Sequence, residues 1–291
     1  MMINKIITLA NDTVRLRFLA MERSLRATGC TLPLWVIPYD DQKFELPPHA
    51  LWYEDAELFD WLAQYRRSGV YRKYLCLLTD NYQFVDSDVV FLRNPAAVLE
   101  NHTGFITSCG HWRTPNETYT NESLQFLKTK SSLWEKLIFN TGQFACSQPL
   151  YSFDTLRALA TTSGFIDTCL LFKFHEQPAV NLLVNASTVK VTNLTLRPGV
   201  MESTWAGDYN DDFYTQFWTA DEQTPYLIHW AGCDMTINRP IDKEFLKYLA
   251  PAELSEWSLY VDRMKKLKNS PLKKLRLRAS KLKIALRAAM Q

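Results

Sequence analysis

The stretch Tyr82-Gln83-Phe84-Val85-Asp86-Ser87-Asp88-Val89-Val90-Phe91 decides how this chain is read. Four residues of buried-strand character lead into two carboxylates one residue apart, and Val-Val-Phe follows. In an extended segment, side chains at i and i+2 project to the same side, so Asp86 and Asp88 present their oxygens together. In open α/β sheets, ligands gather at the carboxyl ends of strands. Paired hard oxygens there suit Mn²⁺ or Mg²⁺, which would in turn hold a diphosphate. The competing reading is two solvated turn residues, and the apolar flanks on both sides weigh against it. No strong built-in counter-ion is expected beside either aspartate.

Outward from this point the chain alternates between strand and helix patterns. Residues 3–9 read as a buried strand that ends at the polar pair Asn11-Asp12. Val14, Phe18, Met21 and Leu25 recur at helical spacing, and Gly29 stops that helix. Residues 32–38 return as a second strand, a βαβ opening that calls for a parallel sheet. A helical stretch at 56–67 leads through 71–78 to the strand Tyr82–Val85. Further strands are expected at 104–108, Gln143–Cys146, 188–191 and 226–229, and helices at 122–136, 152–162 and 178–183. Residues 197–212, rich in Gly, Asp and aromatics, read as an active-site lid.

Composition narrows the class. The 291 residues are 47% hydrophobic and 22% charged, ordinary for a globular α/β chain. Aromatic side chains make up 13%, with nine Trp. Most belong in a core, and Trp112, Trp205 and Trp230 are the ones weighed for sugar stacking. Six scattered cysteines with no C-x-x-C pair fit neither a zinc site nor a disulfide framework, which points to a reducing cytosol. The apolar run at the N-terminus is too short for a signal peptide, and no window is long and apolar enough to span a bilayer. Nine glycines with no G-x-G-x-x-G and no G-x-x-x-x-G-K exclude dinucleotide and P-loop sites.

The net charge of +2 hides an asymmetry. Residues 263–291 hold eleven Lys/Arg and no acid, which leaves 22 basic against 31 acidic side chains in residues 1–262. The expected division is therefore a catalytic domain at 1–250 and a helical, basic C-terminal tail at 251–291. From Leu272 the Leu and Ala positions recur at 3,4 spacing among Lys and Arg, the pattern of an interfacial amphipathic helix. That tail is expected to rest on an anionic membrane surface, peripheral on the inner face; docking on the acidic body or a second subunit is the alternative. An acidic body repels nucleic acid, so none is expected as a partner.

Four blocks then acquire a common resemblance. The run Val70-Tyr71-Arg72-Lys73-Tyr74 through Asp86-Ser87-Asp88, then Phe139-Asn140-Thr141-Gly142, Glu176-Gln177-Pro178-Ala179-Val180-Asn181 and Ile228-His229-Trp230-Ala231-Gly232 occur in the order seen in GT-A-fold glycosyltransferases, and particularly resemble glycosyltransferase family eight. The resemblance implies a GT-A-type nucleotide-diphospho-sugar transferase fold, an open, mostly parallel sheet flanked by helices. It implies a hexosyltransferase that retains configuration and uses a nucleotide-sugar donor, with UDP as the nucleotide and a carbohydrate or lipid-linked acceptor. Asp86, Asp88 and His229 would ligate Mn²⁺ or Mg²⁺. Arg72 and Arg239 would face the diphosphate, and Thr8 and Asn11 the base and ribose. Asn140 and Gln177 would bond the donor sugar, with Glu176 near its anomeric carbon. Glu176 stands where the family has Asp, and Arg239-Pro240-Ile241 only loosely matches its Lys-Pro-Trp.

Two other classes compete. A haloacid-dehalogenase-type phosphatase also uses an apolar strand followed by D-x-D, and Gly207-Asp208-Tyr209-Asn210-Asp211-Asp212 imitates its later acidic block. No apolar strand is expected before Gly207, however, and the Asn-Thr-Gly and His-Trp-Ala-Gly blocks would go unexplained. A non-catalytic membrane-surface module led by the tail is the third reading.

Overall fold

Six consecutive residues with no exposed member, Lys5–Ala10, form strand β1, on which the sheet is built. The computed structural model of the chain describes residues 3–65, 69–108, 125, 138–171, 176–195, 203–215 and 225–269. The other strands are β2 (Leu34–Pro38), β3 (Ala50–Trp52), β4 (Tyr82–Val85), β5 (Val89–Phe91), β6 (Phe105–Thr107), β7 (Gln143–Cys146), β8 (Val191–Asn193), β9 (Ser203–Trp205) and β10 (Leu227–His229). Seven of them make one sheet in the order β3-β2-β1-β4-β7-β6-β8; β5, β10 and β9 make a second. In the large sheet only β7 runs against its neighbours. The pairings of β1 with β2 and with β4 are both parallel, so the ends of all three strands open on one edge.

Helix α1 (Arg15–Ala27) joins β1 to β2 and ends at Gly29, whose φ of 78° only glycine adopts without strain. Asp55 caps α2 (Ala56–Ala63) by accepting from the Leu58 amide. A 3-10 helix at Gly69–Leu78 then leads to β4, in the place where the sequence gives 71–78 without a defined form. Helices α3 (Pro95–Leu99), α4 (Phe153–Thr161), α5 (Ile166–Cys169), α6 (Gln177–Ala186), α7 (Asp242–Leu246) and α8 (Pro251–Asn269) complete the described elements. Helix α6 runs three residues beyond the expected 183. The strand after it shifts by the same amount, and β8 falls at Val191–Asn193 rather than 188–191. A short strand, β9, precedes Gly207; it is three residues, Ser-Thr-Trp, and not the apolar strand that the phosphatase block requires. The helix expected at 122–136 and the tail from 270 onward fall outside the described residues, Gln125 excepted, as do lid positions 197–202.

Three apolar clusters hold these layers. One face of the large sheet packs Ile7, Phe84 and Phe144 against α2, α4, α6 and the 3-10 helix. The other packs Ile6, Val36 and Val85 against Phe18, Met21 and Leu25 of α1. A third joins the small sheet to α7 and α8 through Val90, Ile228, Trp230, Phe245 and Trp257. Helix α8 is also fixed to α1 by a two-pronged Arg23–Glu253 ion pair, with oxygens 2.5 and 2.8 Å away, and by Arg15–Glu256 at 2.6 Å. No helix among the described residues is long and apolar enough to cross a membrane.

The two sheets meet at a buried polar chain. Gln83 of β4 donates to the Tyr226 hydroxyl at 3.0 Å, and that hydroxyl donates to Gln143 of β7 at 3.1 Å. Gln143 donates in turn to the Ser108 carbonyl at 2.5 Å. Tyr226 directly precedes β10, so this chain ties the small sheet to the large one just behind Asp86. Tyr226→Phe strands the Gln83 and Gln143 side chains in a dry interior, where an unmet polar group costs about 1–3 kcal/mol. Urea unfolding of this variant is expected to lose stability in that range, whereas a loss within error would mean that water relieves the site.

Candidate active site

Strand β4 ends at Val85, and Asp86 emerges at the carboxyl edge of the large sheet, beside the ends of β1 and β2. The chain turns at Ser87-Asp88 and re-enters as β5, which pairs antiparallel with β10, placing Val89 opposite His229. The Trp230 amide donates to the Asp88 carbonyl at 3.0 Å and closes that turn. One ligand atom from each of Asp86, Asp88 and His229 lies within 4.8 Å of the others. His229 Nε2 stands 3.4 Å from Asp88 Oδ1. The triad expected from the D-x-D block and the histidine block is thus assembled from the turn between β4 and β5 and the end of β10, segments far apart in the chain.

The space at the triad depends on Gly142. A Cβ on that residue would sit 2.0 Å from His229 Cε1, 2.6 Å from Nε2 and 2.8 Å from Asp86 Oδ2. The Gly142 carbonyl also accepts from the Asp86 amide at 2.7 Å. The Asn140-Thr141-Gly142 block is therefore a turn that lets backbone pass beside the acidic pair, with the Asn140 side chain accepting from the Gly142 amide at 2.8 Å. Two carboxylates and one imidazole with room between them fit a divalent cation of the Mn²⁺ or Mg²⁺ kind.

A cation already stands beside the pair, contrary to the expectation of none. Lys73 is 1% exposed, and its ammonium lies 3.1 Å from Asp86 Oδ1 and 2.6 Å from Glu176 Oε1. It also donates to the Thr141 carbonyl at 3.2 Å and rests 4.6 Å from the centre of the Phe84 ring. Arg72, the residue expected to meet the diphosphate, instead donates to the Pro38 carbonyl at 2.8 Å and lies over Phe59. The 3-10 geometry of Gly69–Leu78 turns the next residue, Lys73, inward in its place. The reading of Arg72 and Lys73 as a solvated face fails for Lys73.

The remaining residues fall into two groups. Glu176, Gln177 and Asn140 gather around the Asn-Thr-Gly turn: Gln177 accepts from the Thr141 amide at 3.1 Å, and Glu176 Oε1 lies 3.3 Å from the Thr141 hydroxyl. Asn181 both donates to and accepts from the Phe139 backbone, each at 2.9 Å, which fastens α6 to this turn. At the ends of β1 and β2, Asn11 donates to Asp40 at 2.8 Å. Thr8 is fully buried within β1, and its hydroxyl has no partner. Arg239 donates to the Asp234 carbonyl at 3.0 Å, within the loop that follows β10. The sequence reading missed Asp40 and Tyr39. Tyr39 ends β2's run and feels the charges of Asp86, Lys73, Glu176 and Asp88; burial, then Asp86, pushes its hydroxyl pKa up.

The chain matches the WbbM bifunctional glycosyltransferase with a TM-score of 0.53 at 13% identity, covering 88% of this chain and 51% of that one. It matches the galactosyltransferase LgtC, solved with donor and acceptor sugar analogs, with a TM-score of 0.53 at 12% identity, covering 87% of this chain and 99% of that one. The fold is GT-A. The chain spans about half the length of WbbM. No protein-family model and no curated protein sequence matches it. In this GT-A frame the Asp86–Asp88–His229 cluster sits at the strand ends, where the parallel sheet changes direction.

Electrostatics couple the three side chains of the triad. Burial raises the Asp86 pKa; Lys73 pulls it down, while Asp88 and Glu176 push it further up. Burial also acts to raise Asp88, but the hydrogen bond and charge of His229 outweigh it and leave the pKa lowered. Burial acts to lower His229, and Asp88 outweighs that too, so the imidazole titrates above its ordinary 6.5. The ion pair of Asp88 with protonated His229 therefore stabilises the metal-free protein fully between the ordinary values of 3.8 and 6.5. It fades as pH falls through the lowered Asp88 pKa, and again as pH rises through the raised His229 pKa.

Two expectations follow from this geometry. In melting curves without metal, the stability difference between wild type and His229→Asn is greatest in that window and shrinks above it; a difference that grows with pH would refute the ion pair. Gly142→Ala drives a methyl into His229 and Asp86, so calorimetric Mn²⁺ binding is expected to fall by at least about tenfold. Unchanged binding would show that the turn yields without disturbing the triad.

Proposed function

We propose that this chain is a metal-dependent glycosyltransferase that moves a hexose from a nucleoside-diphosphate donor, a UDP-sugar, to a carbohydrate acceptor. The observation that carries the reading is the Asp86–Asp88–His229 cluster at the strand ends of a GT-A fold. These three residues would hold Mn²⁺ or Mg²⁺, and such an ion, when bound, neutralises charge on the departing nucleoside diphosphate. Asn11, Asp40 and Tyr39 stand at the ends of β1 and β2, where the nucleoside half of the donor would lie. Arg239 is close enough in sequence to the β10 loop to act on the diphosphate only if it leaves the Asp234 carbonyl.

Lys73 keeps Asp86 and Glu176 in fixed positions. Its three donors are directed to Asp86, Glu176 and the Thr141 carbonyl. Glu176 Oε1 is engaged by that ammonium and by Thr141, so this oxygen is not offered to an acceptor hydroxyl as a general base. Gln177 holds the Thr141 amide and, through it, the turn beside the donor sugar.

The test combines metal and nucleotide. Mn²⁺ with UDP is expected to raise the melting temperature by mass action, and Asp88→Asn to abolish the shift while the metal-free protein stays folded. Hydrolysis of UDP-sugars should require the metal and disappear in the same variant. A shift that survives Asp88→Asn would place the metal elsewhere, and turnover of simple phosphomonoesters in its stead would return the phosphatase reading.

A further inference from the structure

The small sheet carries one exposed tryptophan beside the triad. Strand β9 is the outer strand of β5-β10-β9, and its parallel register sets Trp205 directly opposite His229. Paired residues on neighbouring strands project to the same face, and the strands are about 4.8 Å apart. The indole of Trp205 therefore leaves the sheet on the same side as the His229 imidazole. The packing agrees: Ile228 of β10, Trp230 directly after the strand, and Ala206 after Trp205 belong to the core cluster on the opposite face.

This ring is held in a set orientation although it is 37% exposed. Its Nε1 donates to the Ala231 carbonyl at 2.9 Å, two residues past His229. Its six-membered ring lies across Gly207, where a Cβ would come within 2.4 Å of Cζ2 and Cη2. Trp230, by contrast, is 1% exposed and donates to Asp242 at 2.8 Å, which makes it a core residue. Trp112 lies outside the described residues.

We propose that the Trp205 indole is the platform on which the pyranose ring of the acceptor stacks. The inference rests on the glycosyltransferase reading and adds the placing of its second substrate. A large aromatic face, pinned by its own N–H and by a glycine beneath it, offers apolar area at little entropic cost. A pyranose with its C–H bonds aligned on one face has the complementary surface. Position decides between the two sugars. Within the small sheet the order is β5, β10, β9, so Trp205 lies beyond His229 on the side away from the Asp86-Ser87-Asp88 turn that enters β5, while β1 lies beside β4 in the large sheet. The nucleoside end of the donor belongs at β1 and β2, so Trp205 flanks the triad on the far side, where the attacking sugar must arrive.

Saturation-transfer NMR on the full chain with Mg²⁺ and UDP tests the assignment. The probes are the methyl β-glycosides of glucose, galactose and N-acetylglucosamine. At least one is expected to receive saturation at its ring C–H protons. Trp205→Ala should weaken that glycoside by at least about tenfold, while Trp205→Phe, which keeps a ring, retains most of the effect. The UDP signal in the same tubes reports whether each variant is folded. If the wild type binds UDP but no glycoside, or if Trp205→Ala leaves the glycoside unaffected, the acceptor platform is wrong. If Trp205→Ala weakens UDP-glucose relative to UDP while the glycoside is unaffected, the ring serves the donor and the assignment is overturned. Absence of UDP binding in the wild type would refute the UDP-sugar transferase reading on which the acceptor assignment rests.

Discussion

A fully buried ammonium must be neutralised where it stands, because water cannot reach it and an unpaired charge in the interior is costly. Lys73 meets that requirement by drawing three separate pieces of chain to one point: the end of β4 at Asp86, the Asn-Thr-Gly turn at Thr141, and the start of α6 at Glu176. Burial alone would lower its pKa, and Asp86 and then Glu176 outweigh that and raise it. Removing one partner from such a cluster typically costs about 3–5 kcal/mol. The same contacts that satisfy Lys73 set the positions of the acidic groups, so stability and site geometry rest on one interaction.

The rest of the site is arranged around this point by backbone. Gly142 passes the turn close enough to leave the triad its space, and Asn140, Gln177 and Asn181 each secure backbone groups of residues 139–142. These side chains are polar, and two of them, Gln177 and Asn181, come from α6, so the helix is fastened to the turn by side chain-to-backbone hydrogen bonds. The small sheet is fixed on the other side through Tyr226 and the two glutamines. His229 is thereby set beside Asp88 by protein groups on both sides of the site. A preformed site loses less on binding than one that must be ordered first.

Helix α8 adds a third tie. Its first turns are joined to α1 by Arg15 and Arg23, and Trp257 enters the core beside Phe245. Near its end Lys268 meets Asp234 and Thr236, in the loop that follows His229. The acidic body thus receives basic residues from the C-terminal part of the chain as well as supplying its own.

How far the sequence carried the reading depends on the range of each interaction. Strands β4 and β7 coincide with the expected bounds because apolar runs ended by polar residues are local signals, and Ser152 caps α4 where the pattern places a helix start. The D-x-D pair and His229 were legible because their blocks stand in a recognisable order. Lys73 was not: Arg72 and Lys73 are adjacent cations, and only the 3-10 path of Gly69–Leu78 decides which one turns inward. Nor were β3, β5 and β9, three-residue strands that exist because a neighbour supplies their hydrogen bonds. The sequence by itself determined a βαβ opening, a mostly parallel sheet and two carboxylates at a strand end, all set by residues a few positions apart. Only the tertiary structure decided which cation neutralises those carboxylates and which tryptophan stands beside them, because burial chooses between the adjacent Arg72 and Lys73, and strand register sets Trp205 opposite His229.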